Sequence, residues 1–413
     1  MPTRRALFLS PETPAPGAGG GGLRSASLLE YLRAHYDVQV FSFHLPHHSK
    51  SRWARVWRNG WRFVRAAPPL LDRFAGFESQ LDPVLKDPVW NDLASDDQIS
   101  HDATASGRRY SLGVIEHFWC APYARALRPH CDRLVLDLHN IESQLAHSHA
   151  RATRGIESIA MSRFARAYER LEREWPPQFD ILLVASEEDR RRVAGLSAAD
   201  ARVIVYPNAL PVEWGRRVTF ETSGFETTAS ETIARESEPS GPPTIVFSGN
   251  LEYHPNVEAV RWFHAQIWPR IRARAPGVKW TLVGCNEHAV RPLLAGDDRI
   301  LLTGPVEDAV AELANADVCI VPLLSGSGTR FKILEAWAAA RAVVSTSLGA
   351  EGLGAKHEQH LLIADSPAAF AEATLRLLDD PALRSRLGEA GRELYLDRFT
   401  WPVAWRALES AGI

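Results

Sequence analysis

The residues best suited to chemistry lie in the stretch VCIVPLLSGSGTRFKILEAWAAAR, residues 318–341 of the 413-residue chain. An apolar run, VCIVPL (318–323), passes into a turn holding Gly326 and Gly328. There the backbone can bend tightly and approach a ligand without a Cβ in the way. The spacing predicts a helix starting near Thr329, whose first N–H groups and dipole favour an anion. Gly326, Ser327, Gly328 and Thr329 would then cradle a phosphate. Arg330 and Lys332 place two cations in a first turn where acidic residues are usual, and a local rule broken in this way points to a bound anion. Glu335, one turn on, can accept hydrogen bonds from a diol such as a ribose. The competing reading is architectural: the glycines shape a connection, and Lys332 with Glu335 forms an i,i+3 surface pair.

A second group of polar residues sits in the first half. In LVLDLHNIESQL (134–145), His139 and Asn140 end an apolar run, where ligand-facing residues of an α/β sheet belong. Asp137 and Glu142 read as residues that fix this loop or cap the next helix. Ser186 and Asp189 form a capping box. His147 and His149 have weak metal-ligand spacing and no acidic partners, so no metal site is expected. Four glycines, Gly19 to Gly22, lie between the run ALFL (6–9) and an amphipathic stretch over 23–35. They read either as a flexible linker or, preferably, as a loop in which Gly20, Gly21 and Gly22 approach a phosphate or acceptor, with Arg24 at the helix start as companion.

These residues need a scaffold. Six apolar runs precede residue 213 and six follow residue 243, separated by helix-length segments such as 23–35, 257–275 and 329–341. Near-continuous apolar strands alternating with helices predict parallel sheets covered on both faces, hence two doubly wound α/β domains. The expected organisation is a first domain over 1–213, completed by a C-terminal helix over 400–413, and a second over 243–399. Between them, 214–242 is rich in Ser, Thr, Glu and Gly without an apolar period, and reads as a linker or insertion.

The formal charge of −3, from 47 basic against 50 acidic residues, excludes nucleic acid as the main partner. Four cysteines without a CxxC pair argue against a disulfide framework or structural zinc and fit a reducing compartment. No run reaches the roughly 18 apolar residues of a membrane span, which predicts a cytoplasmic location. The segment 52–65 (RWARVWRNGWRFVR) places Trp53, Trp57 and Trp61 on one helical face and five arginines on the other. That pattern suits a domain helix or, as the minority reading, peripheral contact with a membrane surface.

From Thr244 to about Thr400 the chain closely resembles the nucleotide-sugar-binding half of retaining glycosyltransferases of family 4, which have the GT-B fold. The resemblance is carried by GNLEYHPNVEAVRWF (249–263), IWPRIR (267–272), LVG (282–284), GPVED (304–308), GSGTRFKILEAWA (326–338) and TSLGAEGL (346–353). It implies two facing Rossmann-like domains with a cleft between them. It also implies donor binding by Gly249, Asn250, Gly284, the backbone near Val306, the 326–329 loop and Glu335. Arg330 and Lys332 would hold the diphosphate, and His139 would lie near the reacting carbon. Two departures stand out: many members carry a glutamate where this chain has Ser327, and NLEYHPN offers only His254 where a basic residue is familiar.

The implied activity is transfer of a sugar, with retention, from a nucleotide-diphosphate sugar to a glycan or lipid-linked acceptor in bacterial cell-surface polysaccharide synthesis. No cofactor or metal is implied, and the absence of a convincing nucleophile fits attack by the acceptor on the leaving-group face. The alternatives are a nucleotide-sugar epimerase of the same fold and a catalytically silent sugar-nucleotide-binding partner. Similar enzymes end in a helix crossing back to the first domain, which Trp401 and Trp405, at i,i+4, could anchor.

Overall fold

The computed structural model describes residues 4–11, 14, 19–42, 109–152, 155–196, 202–214, 241–294, 296–326, 328 and 330–413. The segment 52–65, Ser327, Thr329 and all but the ends of 214–242 lie outside the described residues. By their contacts the residues form two units. The first holds residues up to Pro207 together with Gly326–Gly328 and Trp405–Ile413; the second holds Asn208–Ser325 and Thr329–Ala404.

Each of the twelve apolar runs contains a strand. In the first unit these are β1 (Arg5–Ser10), β2 (Asp37–Ser42), β3 (Leu112–Glu116), β4 (Leu134–Leu138), β5 (Ile181–Val184) and β6 (Arg202–Val205). They form one parallel sheet in the order β2-β1-β3-β4-β5-β6. The second unit holds β7 (Thr244–Ser248), β8 (Lys279–Val283), β9 (Ile300–Gly304), β10 (Val318–Val321), β11 (Ala342–Ser345) and β12 (Leu362–Ile363), ordered β12-β11-β10-β7-β8-β9 and also parallel. The central strands β3, β4, β5, β10 and β11 are buried along their whole length, as a sheet covered on both faces requires. The fold is therefore doubly wound α/β in both units. In each sheet the strand order reverses once, between β1 and β3 and between β7 and β10. Such reversals open crevices at the carboxyl ends of the strands, where ligands of this architecture bind.

Three helix boundaries differ from the sequence reading. Gly19–Gly22 do not form a loop: the helix runs Gly19–His35 and takes the glycines as its first turn. Burial of Leu23, Leu28, Tyr31 and Leu32 stabilises it enough to override the low helix propensity of glycine. The expected helix over 257–275 is His254–Trp262 and Trp268–Arg274 joined by a wide π turn at Phe263–Ile267. Pro269 lacks an N–H and crowds the carbonyl four residues back, which accounts for the widened turn. Finally, the helix after the glycine pair is Phe331–Ala338, with Arg330 extended at its cap rather than inside its first turn.

The helix Trp401–Ala411 ends the chain with two indole anchors. Trp401 Nε1 donates to Ala209 O at 3.1 Å within the second unit, and Trp405 Nε1 to Ser27 O at 3.2 Å within the first. Tyr31 Oη donates to Ile413 O at 2.8 Å. No described helix is long and apolar enough to cross a membrane.

The helix Phe331–Ala338 is seated by two glycines of the helix Pro381–Arg398. A Cβ at Gly388 would lie 2.2 Å from Ala340 O, and one at Gly391 would lie 2.3 Å from the Trp337 ring. Gly388→Ala is expected to cost about 1–3 kcal/mol in urea unfolding despite the better helix propensity of alanine. Gly195→Ala, with nothing within 4 Å of the new methyl, is expected to be neutral or to gain up to about 1 kcal/mol. Equal effects at the two positions would refute the packing argument.

Candidate functional site

In the second unit the reversal of strand order brings together the ends of β7 and β10. Gly249, just after β7, has φ of 141°, and a Cβ there would come within 3.0 Å of Lys332 Nζ and 2.9 Å of Asn256 Nδ2. Gly284, after β8, is as tightly constrained: its Cβ would lie 2.0 Å from Gly249 O. Both glycines are thus demanded by close approach of the chain to itself, before any ligand is considered.

Lys332, the second residue of the helix Phe331–Ala338, turns back over β7. Its Nζ donates to Asn256 Oδ1 at 2.7 Å and stands 4.0 Å from the centre of the Phe247 ring. Asn256 is itself fixed, its Nδ2 donating to Asn250 O at 2.7 Å. Lys332 thus brings its ammonium to Asn256, within the segment NLEYHPN where the sequence itself has no lysine or arginine. One turn on, Glu335 accepts a hydrogen bond from Ser248 Oγ at 3.3 Å. Lys332 and Glu335 are half-buried at strand ends, so the alternative of a solvated surface pair does not describe them.

Burial depresses the Lys332 ammonium; Glu335 counteracts this, Arg330 adds to it, and the pKa is held down to about 7. Burial also raises the Glu335 carboxyl, against the effect of Lys332. The corner thus holds an ammonium that burial disfavours and that Glu335 compensates only in part.

The other expected donor residues are distributed around this corner and beyond it. Arg330 is buried at the helix cap. Asn250 is exposed, its Oδ1 accepting from Glu252 N at 3.0 Å. Val306 is half-buried in the loop after β9, two residues before Asp308, which caps the helix Ala309–Ala314. Ser325 is fully buried, and its Oγ donates to Glu258 Oε2 at 2.5 Å. Gly326 and Gly328 have φ of 129° and 73° and group with the first unit. Gly326 N–H donates to Ser148 Oγ at 3.0 Å, and a Cβ at Gly328 would lie 3.1 Å from His139 O.

In the first unit a buried charge cluster occupies the ends of β3 and β4, where Glu116 and Asp137 are neighbours in register. Arg24 binds Asp137 through Nε at 2.8 Å and Nη2 at 2.6 Å, and donates from Nη1 to Tyr206 O at 2.7 Å. His139 Nε2 lies 2.6 Å from Glu116 Oε2 and 3.4 Å from Asp137 Oδ2, with its ring stacked on His117 at 3.7 Å between centroids. Ser25 Oγ donates to Glu116 Oε2 at 2.5 Å. Although burial works against both, Arg24 holds the Asp137 carboxyl well below the usual carboxylate range, and Glu116 with Asp137 pushes His139 up to about 9. The Glu116 carboxyl is raised by its burial and by Asp137.

This cluster corrects the reading of Arg24 as a companion to an external phosphate. The residue is 2% exposed, and its guanidinium is committed to Asp137 and Tyr206. Asp137 is accordingly the counter-ion of Arg24 as well as a loop residue. Gly20, Gly21 and Gly22 form the turn that leads into Arg24 and Ser25. Glu116, His117 and His139 bring ligand-type atoms within 4.8 Å of one another. His147 does have an acidic partner, Glu169 at 2.9 Å, supplied by the helix Ile156–Glu174. The Ser186–Asp189 capping box is present, with Asp189 N donating to Ser186 Oγ at 3.1 Å.

Sequence reasoning gave no role to Glu116, Ser25 or Asn256. The available signal for Glu116 was a carboxylate ending a wholly apolar run, LGVIE, in a strand otherwise suited to burial.

With this geometry in hand, the comparisons with known proteins are informative. Residues 242–380 match the family described as glycosyl transferases group 1. Among curated relatives, an uncharacterized 44.6 kDa protein in the cps region of Klebsiella pneumoniae is 29% identical over 136 residues, 31% of this chain and 35% of that one. A lipopolysaccharide core biosynthesis glycosyltransferase, LpsE, of Rhizobium meliloti (strain 1021) is 28% identical over 200 residues, 45% of this chain and 55% of that one. The matched stretches thus span about a third to a half of these relatives' lengths. Among solved structures, sucrose-phosphate synthase from Thermosynechococcus elongatus superimposes with a TM-score of 0.66 at 16% identity, covering 99% of this chain and 98% of that one. The fold is the GT-B fold of that neighbour.

Two outcomes follow from the electrostatics. Because Lys332 binds its proton less tightly in the folded chain than its ordinary value of 10.5 implies, the unfolded chain holds more protons between about pH 7 and 10.5. Folding stability attributable to Lys332 therefore rises with pH through that window. Lys332→Met is expected to be more stable than the parent at pH 6.5 and to lose that advantage by pH 9.5 in urea titrations. A constant difference across this range would show the ammonium to be well compensated. Asp137→Asn, which leaves the Arg24 charge buried without its partner, is expected to cost about 3–5 kcal/mol in the same assay.

Proposed function

We propose that the protein is a glycosyltransferase that moves a sugar from a nucleoside-diphosphate sugar to a glycan or lipid-linked acceptor, as a retaining enzyme of family 4 acting without a metal ion. The observation that carries this reading is the Lys332 corner at the junction of β7 and β10. A half-buried ammonium, under-compensated and fixed by Asn256, faces chain ends from which glycines keep side chains away. The match of residues 242–380 to the group 1 glycosyltransferases supports it independently.

In this reading the diphosphate binds against Lys332 and Arg330 and the N–H groups at the start of the helix Phe331–Ala338. As the glycosidic bond breaks, negative charge grows on the leaving phosphate oxygen. The preorganised cations stabilise it without solvent reorganisation, the role a metal ion plays elsewhere. Bound phosphate also restores the proton to Lys332, so donor binding takes up a proton near neutral pH. Glu335, steadied by Ser248, accepts hydrogen bonds from the ribose hydroxyls. His139 lies near the transferred sugar in this reading, and the acceptor attacks on the face the diphosphate leaves. The similarity to a lipopolysaccharide core biosynthesis glycosyltransferase supports a product among cell-surface polysaccharides.

A nucleotide-release assay over a panel of nucleoside-diphosphate sugars, with the anomeric configuration of the product read by NMR, tests the proposal. The parent is expected to release nucleotide with at least one donor and to form a product of retained configuration. Lys332→Ala is expected to lower kcat about 10²–10³-fold with the fold intact by circular dichroism. Glu335→Gln is expected to act chiefly on the KM for donor. Undiminished turnover in Lys332→Ala would remove the corner from the mechanism.

A further inference from the structure

Glu116 is a completely buried carboxylate with only part of its hydrogen-bonding capacity used. Oε2 takes a hydrogen bond from Ser25 Oγ at 2.5 Å and faces His139 Nε2 at 2.6 Å. Oε1 makes no hydrogen bond among the described residues. Removing a carboxylate from water costs several kcal/mol, and an apolar side chain would fill a covered strand end without that loss. Asp137 does not need Glu116, because its charge is matched by Arg24 through two hydrogen bonds. The partner whose state depends on Glu116 is His139. At 2.6 Å a proton must lie between the carboxylate and Nε2, and the stacking on His117 fixes the ring plane.

We infer that Glu116 is a positioning residue, which together with Ser25 locks the His139 ring in orientation and keeps a proton on its Nε2, so that the histidine acts in sugar transfer as a fixed cation rather than as a base. The inference rests on the proposed placement of His139 beside the transferred sugar. It assigns the charge of that residue to a carboxylate 23 positions earlier in the chain. A ring whose Nε2 is held by Glu116 cannot take a proton from an acceptor hydroxyl through that atom. A cation fixed in this way instead favours negative charge developing beside it.

The groups around the ring bear on its titration in opposite senses. Glu116 from β3 and Asp137 from β4 favour the imidazolium, while burial opposes it, and His139 is pushed up to about 9 as the net result. Arg24, from the helix Gly19–His35, is spent on Asp137. His117 stacks on the ring, and the Cys120 thiol, pushed well up by burial and then by Glu116, stays neutral. Tyr206, after β6, is held neutral by its burial.

The test reads the ring directly. In ¹⁵N-histidine-labelled full-length protein, the His139 resonances are assigned by their loss in His139→Asn and followed from pH 6 to 10. The parent is expected to keep both ring protons past pH 8, and Glu116→Gln to lose one at least a full pH unit lower. The pH profile of kcat should move with it: flat from pH 6 to 8 in the parent, falling over that span in Glu116→Gln and recovering as the pH is lowered. A structural role alone would lower activity at every pH by the same factor.

An unchanged His139 titration in Glu116→Gln overturns the inference. Should that variant fail to fold, the parent suffices, since a neutral His139 ring at pH 7.5 overturns it equally. Failure of the transferase reading would be seen separately, as no turnover by the parent with any donor while the titration arm still reports on Glu116.

Discussion

An ammonium group stripped of part of its hydration loses several kcal/mol that protein groups must return. For Lys332 the return is partial. Asn256 Oδ1 supplies one hydrogen bond, the Phe247 ring an attractive face, and Glu335 a carboxylate whose own proton affinity is raised by burial. Much of the second unit serves to keep this group where it is. Gly249 and Gly284 leave room at the strand ends, Asn256 is tied to Asn250 O, and Gly388 and Gly391 let the helix bearing Lys332 sit close to its neighbour. A cation maintained in this state binds an anion more strongly than one already neutralised, and catalysis by charge stabilisation depends on that preorganisation.

The first unit solves a related problem differently. Four ionisable groups, Arg24, Glu116, Asp137 and His139, are buried together, with Arg24 against Asp137 and His139 against Glu116. The parallel register of β3 and β4 places the two carboxylates side by side, and the helix Gly19–His35 supplies Arg24 and Ser25 to separate them. Where the second unit leaves a charge under-compensated, the first fixes which group bears each proton.

Strands were legible in the sequence because a strand covered on both faces is largely apolar, and the central strands β3, β4, β5, β10 and β11 come from such runs. Boundaries were less so. The glycine turn at 19–22 reads as a loop by propensity, yet burial of Leu23, Leu28 and Leu32 draws it into the helix. The role of Lys332 as a cation was legible from its place after a glycine pair. Its hydrogen bond to Asn256, 76 positions earlier, was not, because no periodicity links the two segments. The partners of Glu116 were illegible for the same reason: Ser25 and His139 lie 91 positions before it and 23 after it, and only the packing of a helix and the register of the sheet bring them to it.

The return of residues 405–413 to the first unit has a consequence for biosynthesis. The carbonyl that Tyr31 Oη bonds belongs to a residue 382 positions further along. A chain emerging from the ribosome therefore makes β1 to β6 long before it makes the segment 405–413 that packs on them. The second unit takes residues of the same helix, up to Ala404, so both units wait on one stretch of chain before their packing is closed.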